Sequence, residues 1–397
     1  MEELIIKKLI SLLNQKSSAK LIIILILFAF PTIAQVDYSF SGYIVDLPTY
    51  SINNGMLSSL AGINQNQFLN LTRLRLRPEI HLWQNGRINL EYEADILYSK
   101  ANPFSLLNQT SVNRQTVNLK WQLLNQDNIN ITHYIDRLYF RQGFDQGNII
   151  IGRQRIAWGV GRVWSPTDLF NPINPANFGK IEKDGVDAAS LTYNFGNFTD
   201  LNVVYNPQDK FVNSNAGFRL RTNFFQYDFA LVGGYFDKRI VAGGDFAGNF
   251  FDAGIRGEGI VSMDKENLNN NFLKLVFGMD NQFTSKLYGM IEYQFNGEGA
   301  LDKLNYDLLG LLEGRIINLS RNYVVVSASY QLTSLFTPTV SNNSNLNDGS
   351  GYLNISGVYS LSDNSSLTAG GLIPYGNMFS EYWYYPTSYY LEAEMFF

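Results

Sequence analysis

The chain contains no cysteine, which excludes disulfides, zinc thiolate centres and cysteine nucleophiles together. Histidine is almost as scarce. Only His81 and His133 occur, at a spacing that fits no metal site, so each reads as a polar residue in a strand, and no cofactor is expected. Charged residues are 16% of the 397 positions, well below the ~25% of soluble domains. Long apolar runs are missing as well: Leu21 to Phe30 falls short of the ~20 residues that a membrane helix needs, and no later stretch is longer, which excludes a helical membrane protein. An excess of positive charge is absent too. The formal charge is -5, and taking away Lys7, Lys8, Lys16, Lys20, Glu2 and Glu3 of the leader leaves -7, a balance that argues against nucleic acid as a partner.

What the chain has instead is Tyr 24, Phe 28 and Gly 33, with aromatic residues at 14%. Apolar and polar residues are interleaved, as suits a wall with lipid outside and water inside. The N-terminus reads as an export signal over residues 1–34: four lysines precede the apolar run, and Thr32-Ile33-Ala34 sets small residues at the cleavage positions. Residues 35–397 are expected to form one all-β domain, a transmembrane antiparallel up-and-down barrel with long extracellular loops.

Ile149 to Trp158 sets the pattern. Ile150, Gly152, Ile156 and Trp158 alternate with Ile151, Arg153, Arg155 and Ala157, the period-2 signature of a strand with two unlike faces. The clearest hairpin is Phe68 to Trp83, turning through Gln84-Asn85-Gly86 into Ile88 to Ile96. It places Arg73, Arg75, Arg77, Glu79 and His81 beside Glu91, Glu93 and Asp95 on the inner face. Closing the turn on Trp83 and Arg87 pairs Arg77 with Glu93 and Arg75 with Asp95. A second hairpin, Ile129 to Gln142 and Gln146 to Trp158, puts Arg137, Arg141, Arg153 and Arg155 inward with no inward acid of its own. Asp136 and Gln154 then point outward, an exception that a bulge or a shallow position explains, and the sequence leaves the two open.

The apolar fragment Val117 to Leu124 is assigned to a loop excursion, because counting it as a spanning strand makes the total odd and single-chain bacterial barrels are even. Gly159 to Gly185 is the longest Pro/Asn/Gly-rich connection, with one helical turn expected at Ser165-Pro166-Thr167-Asp168. Thirteen further segments from Val186 onward bring the count to about 18, with 16 possible. The weakest is Tyr306 to Ile317, where Leu301, Leu304, Leu308 and Leu312 also fit a helix. The final strand places Leu391, Ala393, Met395 and Phe397 on one face and Glu392 and Glu394 on the other.

The pattern Gly152-Arg153-Gln154, Trp158-Gly159, Pro166-x-Asp168 and Asn171-Pro172 resembles a signature of porin-like outer-membrane barrels, and is distantly similar to alginate-export-type and substrate-selective porins. The resemblance covers about 40 residues. It implies a large barrel in the bacterial outer membrane whose positive lumen passes anionic or sugar-like solutes. Phe397 resembles the terminal signal read by the barrel-assembly machinery. The expected function is therefore a passive or weakly selective channel for small hydrophilic solutes, with outer-membrane lipid as its surroundings. The alternative is a non-catalytic secretion or polymer-export component. A hydrolase is disfavoured, since neither histidine sits in a nucleophile motif. The expected pore-lining residues are Arg73, Arg75, Arg77, Glu79, Glu91, Glu93, Asp95, Arg137, Arg141, Arg153 and Arg155. Unpaired guanidinium groups among them would favour anions, the negative net charge being assigned to loops and rims.

Overall fold

The structure, a computed structural model, describes residues 37–397 apart from 57–58, 60–64, 100–113, 127, 172–181 and 313–315. The export signal lies outside the described residues. Nineteen strands form one antiparallel sheet. They are β1 (Asp37–Ile52), β2 (Asn66–Trp83), β3 (Gly86–Ser99), β4 (Lys120–Gln126), β5 (Ile129–Phe144), β6 (Gly147–Gln154), β7 (Val186–Asn194), β8 (Asp200–Asn206), β9 (Asn215–Phe224) and β10 (Tyr227–Phe236). The second half continues with β11 (Arg239–Phe250), β12 (Ala253–Asp264), β13 (Phe272–Gln282), β14 (Leu287–Asn296), β15 (Asn322–Tyr330), β16 (Phe336–Asn345), β17 (Gly351–Ser362), β18 (Ser365–Tyr375) and β19 (Thr387–Phe396). β1 pairs with both β2 and β19, so the sheet closes on itself and keeps no free edge.

Eighteen of these strands make the barrel, because β4 and β6 share one place in the wall. One edge of β5 pairs with β3 along its length; on the other edge Leu138 to Phe144 pair with β6, and Ile129 to Tyr134 pair with β4. The loop excursion expected over Val117 to Leu124 is thus corrected: β6 leaves the wall after Gln154, the carbonyls and amides it abandons on β5 need partners, and β4 supplies them. The even count survives. Eight connections of two to five residues lie at one end; the other end carries every connection longer than five residues, together with the short β4–β5, β10–β11 and β16–β17 connections.

Two other expectations about strands fail in opposite directions. Tyr306 to Ile317 is not a strand; its leucines follow the helical spacing, and Leu308–Leu312 forms a short helix. Phe336–Asn345 is a strand that the sequence concealed, since Pro338 and the run Ser341-Asn342-Asn343-Ser344 mimic a loop. The two errors cancel in the total.

Alternation sets the faces. On β1, Phe40, Ile44 and Tyr50 are exposed on the outer wall while Tyr43, Val45 and Leu47 are buried inside. The chain between β6 and β7 turns inward. Its Ile156, Trp158 and Phe170 join Ala188, Val204, Val232, Phe236, Val241 and Ile260 in a hydrophobic core on the inner face of β7 to β12.

Candidate functional site

The β2–β3 hairpin carries the charged cluster, in a register two residues from the one expected. Trp83 pairs with Gly86 across a two-residue turn, and an irregularity follows between His81 and Trp83, so Arg73 opposes Asp95 and Arg75 opposes Glu93. A two-residue slip keeps every side chain on its face. Arg73 grips Asp95 through Nε and Nη2 at 2.8 and 2.9 Å, the bidentate geometry a guanidinium favours. Arg75 reaches Glu91 and Glu93 at 2.6 Å each and also Asp136.

Asp136 faces inward because of a bulge. The β3–β5 register steps from Glu91↔Arg137 to Tyr92↔Ile135, leaving Asp136 as the extra residue. The expectation that this hairpin has no inward acid is therefore corrected: Arg137 bonds Glu91 and Glu182 at 2.8 Å, and Arg77 bonds Glu182, which arrives from the long loop. Four guanidinium groups here meet five carboxylates, Glu91, Glu93, Asp95, Asp136 and Glu182, so the cluster is not a positive surface. Glu79 is engaged as well, by Arg87 and His81 at 3.0 Å each.

On β6 the expected facing is inverted. Ile151 is 58% exposed on the outer wall, because its register partner there is Phe140, and Arg153 is set opposite Leu138. Gln154 is the inward residue, buried between the Ser190 hydroxyl at 2.7 Å and the Ala188 carbonyl at 2.9 Å. Arg153 closes the seam where β6 departs. Its guanidinium bonds Asp187 at 2.7 Å, the Ile135 carbonyl at 3.1 Å and the Val117 carbonyl, while Asp187 accepts the Thr116 and Val117 amides at 2.7 and 2.9 Å. Arg155, one residue past the strand, escapes the pleat. It is exposed on the side of its segment opposite buried Ile156. Among the described residues neither Arg141 nor Arg155 has a carboxylate at ion-pair distance.

From Trp158, whose indole N–H donates to Asn202 at 3.0 Å, the chain crosses the lumen. Glu258 on β12 accepts the Gly161 amide at 2.8 Å, the Ser165 hydroxyl at 2.9 Å, and the Thr167 amide at 3.2 Å together with the Thr167 hydroxyl. Glu292 on β14 accepts the amides of Arg162, Val163 and Trp164 at 2.7, 3.0 and 2.9 Å. β14 lies eight strands round the wall from β6, close to diametrically opposite in a ring of eighteen. Trp164 ends the crossing in a second core with Val276, Tyr323, Val325 and Tyr382. Gly161 is required by the approach, since a Cβ there would lie 1.8 Å from the Trp164 carbonyl oxygen and 2.7 Å from Glu258. At Ser165 the helical turn predicted from sequence is one hydrogen-bonded turn, Asp168 N–H to Ser165 O at 3.1 Å.

The loop's return is tied down too. Asp168 pairs with Lys183, and burial pushes its carboxyl up to about 6 against the pull of that ammonium group. Asn171 accepts the Ile156 amide at 3.3 Å and donates to the Asp184 carbonyl. Glu182 then meets Arg75, Arg77 and Arg137, so the loop is held at both walls. Above the crossing, the connection between β18 and β19 contributes Glu381, fully buried, which accepts the Leu319 amide at 3.1 Å, the Tyr323 hydroxyl at 2.6 Å and the Asn345 amide at 2.8 Å. Burial pushes its carboxyl up to about 7, the donors pulling the other way.

The residues that position the loop, Glu258 and Glu292, and Glu381, which holds the β14–β15 connection, were not found from sequence. A signal existed for the first two: each is an acid at inward parity with apolar or glycine neighbours, as in Gly257-Glu258-Gly259.

No protein-family model matches the chain, and no curated protein matches it. The fold is shared with the crystal structure of OccD3 (OpdP) of Pseudomonas aeruginosa, at a TM-score of 0.54 and 9% identity over 94% of this chain and 97% of that one. A Rh. blastica porin carrying three substitutions is also similar, at a TM-score of 0.47 and 10% identity over 91% of this chain and 100% of that one. At 9% identity the likeness to OccD3 is one of fold alone, a closed antiparallel β-barrel.

Proposed function

We propose that the chain is a bacterial outer-membrane channel for small hydrophilic solutes, anionic or sugar-like, whose path runs through the lumen that the inward loop narrows. The observation that carries this reading is the loop crossing itself: a peptide segment pinned to opposite walls narrows a barrel of eighteen strands, which is otherwise wide enough for an aqueous lumen. A divided lumen also speaks against polymer export.

The arginines fall into two groups. Arg73, Arg75, Arg77, Arg137 and Arg153 brace the wall and anchor the loop through carboxylates, which leaves them little field for a solute. Selection is carried by Arg141 and Arg155; Arg162, 55% exposed at the crossing with its backbone held by Glu292, is paired with Asp280 at 3.7 Å. Phe397 exchanges both backbone hydrogen bonds with Gly42, at 2.9 and 3.0 Å, on the strand that closes the barrel, a position that suits recognition by the assembly machinery. The channel reading is tested by planar-bilayer conductance of the refolded protein under a salt gradient. Discrete conductance steps with a zero-current potential on the anion side support it; a barrel that folds and conducts nothing overturns it.

A further inference from the structure

Glu381 is a buried acid with no cation beside it. Residues 322–397 contain no lysine, arginine or histidine, and among the described residues no basic side chain stands at ion-pair distance from its carboxylate. Its donors, the Leu319 amide, the Tyr323 hydroxyl and the Asn345 side chain, tie the β14–β15 and β16–β17 connections to its own. Asp348 accepts the Glu381 amide and the Tyr306 hydroxyl at 2.8 Å each. The titratable groups facing Glu381 are thus Asp348, Tyr306 and Tyr323, with Tyr352, Tyr382 and Tyr385 behind them, and none of them can offer a positive charge.

Trp164, where the constriction loop ends, rests on this hub. Its ring centroid lies 5.9 Å from that of Tyr323, and Tyr382, next in the chain to Glu381, belongs to the same core. The seat is incomplete: among the described residues the buried indole N–H of Trp164 has no hydrogen-bond partner. An orphaned buried donor and an unpaired buried charge are both relieved by water. Neither relief is open while the Trp164 ring fills the seat.

We infer that the Trp164 side chain is the movable gate of the constriction and that the charge on Glu381 releases it. With the carboxyl neutral, the ring stays seated across the lumen; with the carboxyl ionised, water enters the hub and the ring swings out, while Glu292 keeps its hold on the loop backbone. Glu381 acts through Tyr323 and Tyr382, which makes it a positioning residue. The inference rests on the reading that the crossing loop narrows the pore.

The sign follows from burial. Seated, the carboxyl is pushed up to about 7; surrounded by water, it returns to the ordinary 4.5. Ionisation therefore favours the open arrangement, by up to about tenfold for each pH unit between 4.5 and 7, with no further gain above 7.

The absence of cysteine makes the test clean. Ser350 is fully buried in the hub, its hydroxyl accepting the Tyr382 amide at 3.3 Å, and serves as the reporter. The reaction of Ser350→Cys with a methanethiosulfonate reagent, taken relative to an exposed cysteine at Gln84→Cys, should quicken between pH 4.5 and 7 and level off above. Adding Glu381→Gln should leave that ratio low and flat, with heat-dependent gel mobility showing that the barrel is folded. In a planar bilayer, wild-type conductance should climb over the same window and that of Glu381→Gln should stay at the low-pH level. A flat labelling ratio with Glu381 in place, or an equally steep one with Glu381→Gln, would overturn the inference; the first of these needs no variant of Glu381. Labelling that follows pH in a barrel that conducts nothing would leave the moving side chain standing and overturn the channel reading instead.

Discussion

The carboxylate of Glu292 accepts the backbone N–H of Trp164 at 2.9 Å from the far side of the barrel, 128 residues along the chain. Arg162 and Val163 donate to the same group, so three consecutive amides converge on one acid. A loop with no regular structure of its own is fixed in this way by groups that belong to the wall.

Removing that acid should loosen the crossing. Hydrogen bonds to a charged group contribute about 1.5–3 kcal/mol each, and Glu292→Ala strands three donors. The expected result is a larger, noisier single-channel conductance with the barrel still folded. Gly161→Ala should behave alike, because its Cβ has no room beside the Trp164 carbonyl. Single-channel recording checks both, and wild-type conductance in both would show that the crossing does not set the pore.

A pH dependence follows from Glu381, whose carboxyl is raised from the ordinary 4.5 to about 7 by burial. A raised acid binds its proton more tightly folded than unfolded, so its penalty is complete above pH 7 and gone below pH 4.5. Through this group the fold gains stability as pH falls across that window. Glu381→Gln should remove that part of the dependence, read as the midpoint of heat-modifiable gel mobility at successive pH values.

Topology is testable with inserted tags. All connections longer than five residues lie at one end of the barrel, the end that also carries Asn213 and Asn345, so a tag beside either should be labelled on intact cells, while one beside Asn85 or Asn197 at the opposite end should be silent. The opposite pattern would invert the barrel.

The seam between β1 and β19 makes a further point about assembly. Phe397 stacks on Phe40 at 6.0 Å and exchanges backbone bonds with Gly42, whose missing Cβ leaves room for the Phe397 ring. Phe397→Asp should lower the yield of folded barrel with little change in the stability of what does fold, since a charge at the membrane interface costs only ~0–1 kcal/mol. Folded yield against unfolding midpoint separates the two.

Much of the barrel was legible because lipid and water impose period 2. Arg73, Arg75, Glu91, Glu93 and Asp95 could be placed on one face from spacing alone, and a two-residue slip of register left that face intact. What spacing could not convey was any event that breaks the pleat. The bulge at Asp136 turned an apparent outward acid into a partner for Arg75, and the departure of β6 after Gln154 turned Arg153 into a seam and freed Arg155. Phe336–Asn345 was hidden for a chemical reason: asparagine and serine suit a turn as well as a wetted wall. Glu292 binds only backbone amides of the loop, and Glu258 binds two such amides beside the Ser165 and Thr167 hydroxyls; a backbone amide adds no signal of its own to the inward parity of either acid.

The central claim is that solutes pass through the lumen narrowed by the loop, under the field of the arginines left without carboxylates, Arg141 and Arg155. It is tested most directly by charge reversal at Arg141 and Arg155 in a planar bilayer under a dilute salt gradient. The zero-current potential should move toward cation preference, and the shift should fade in concentrated salt as the Debye length falls from ~10 Å at 0.1 M to ~3 Å at 1 M. Reversal of Arg73, already matched to Asp95, should change folding yield and leave the potential where it was. An unmoved potential in the Arg141→Glu, Arg155→Glu double variant, with conductance intact, would contradict the account.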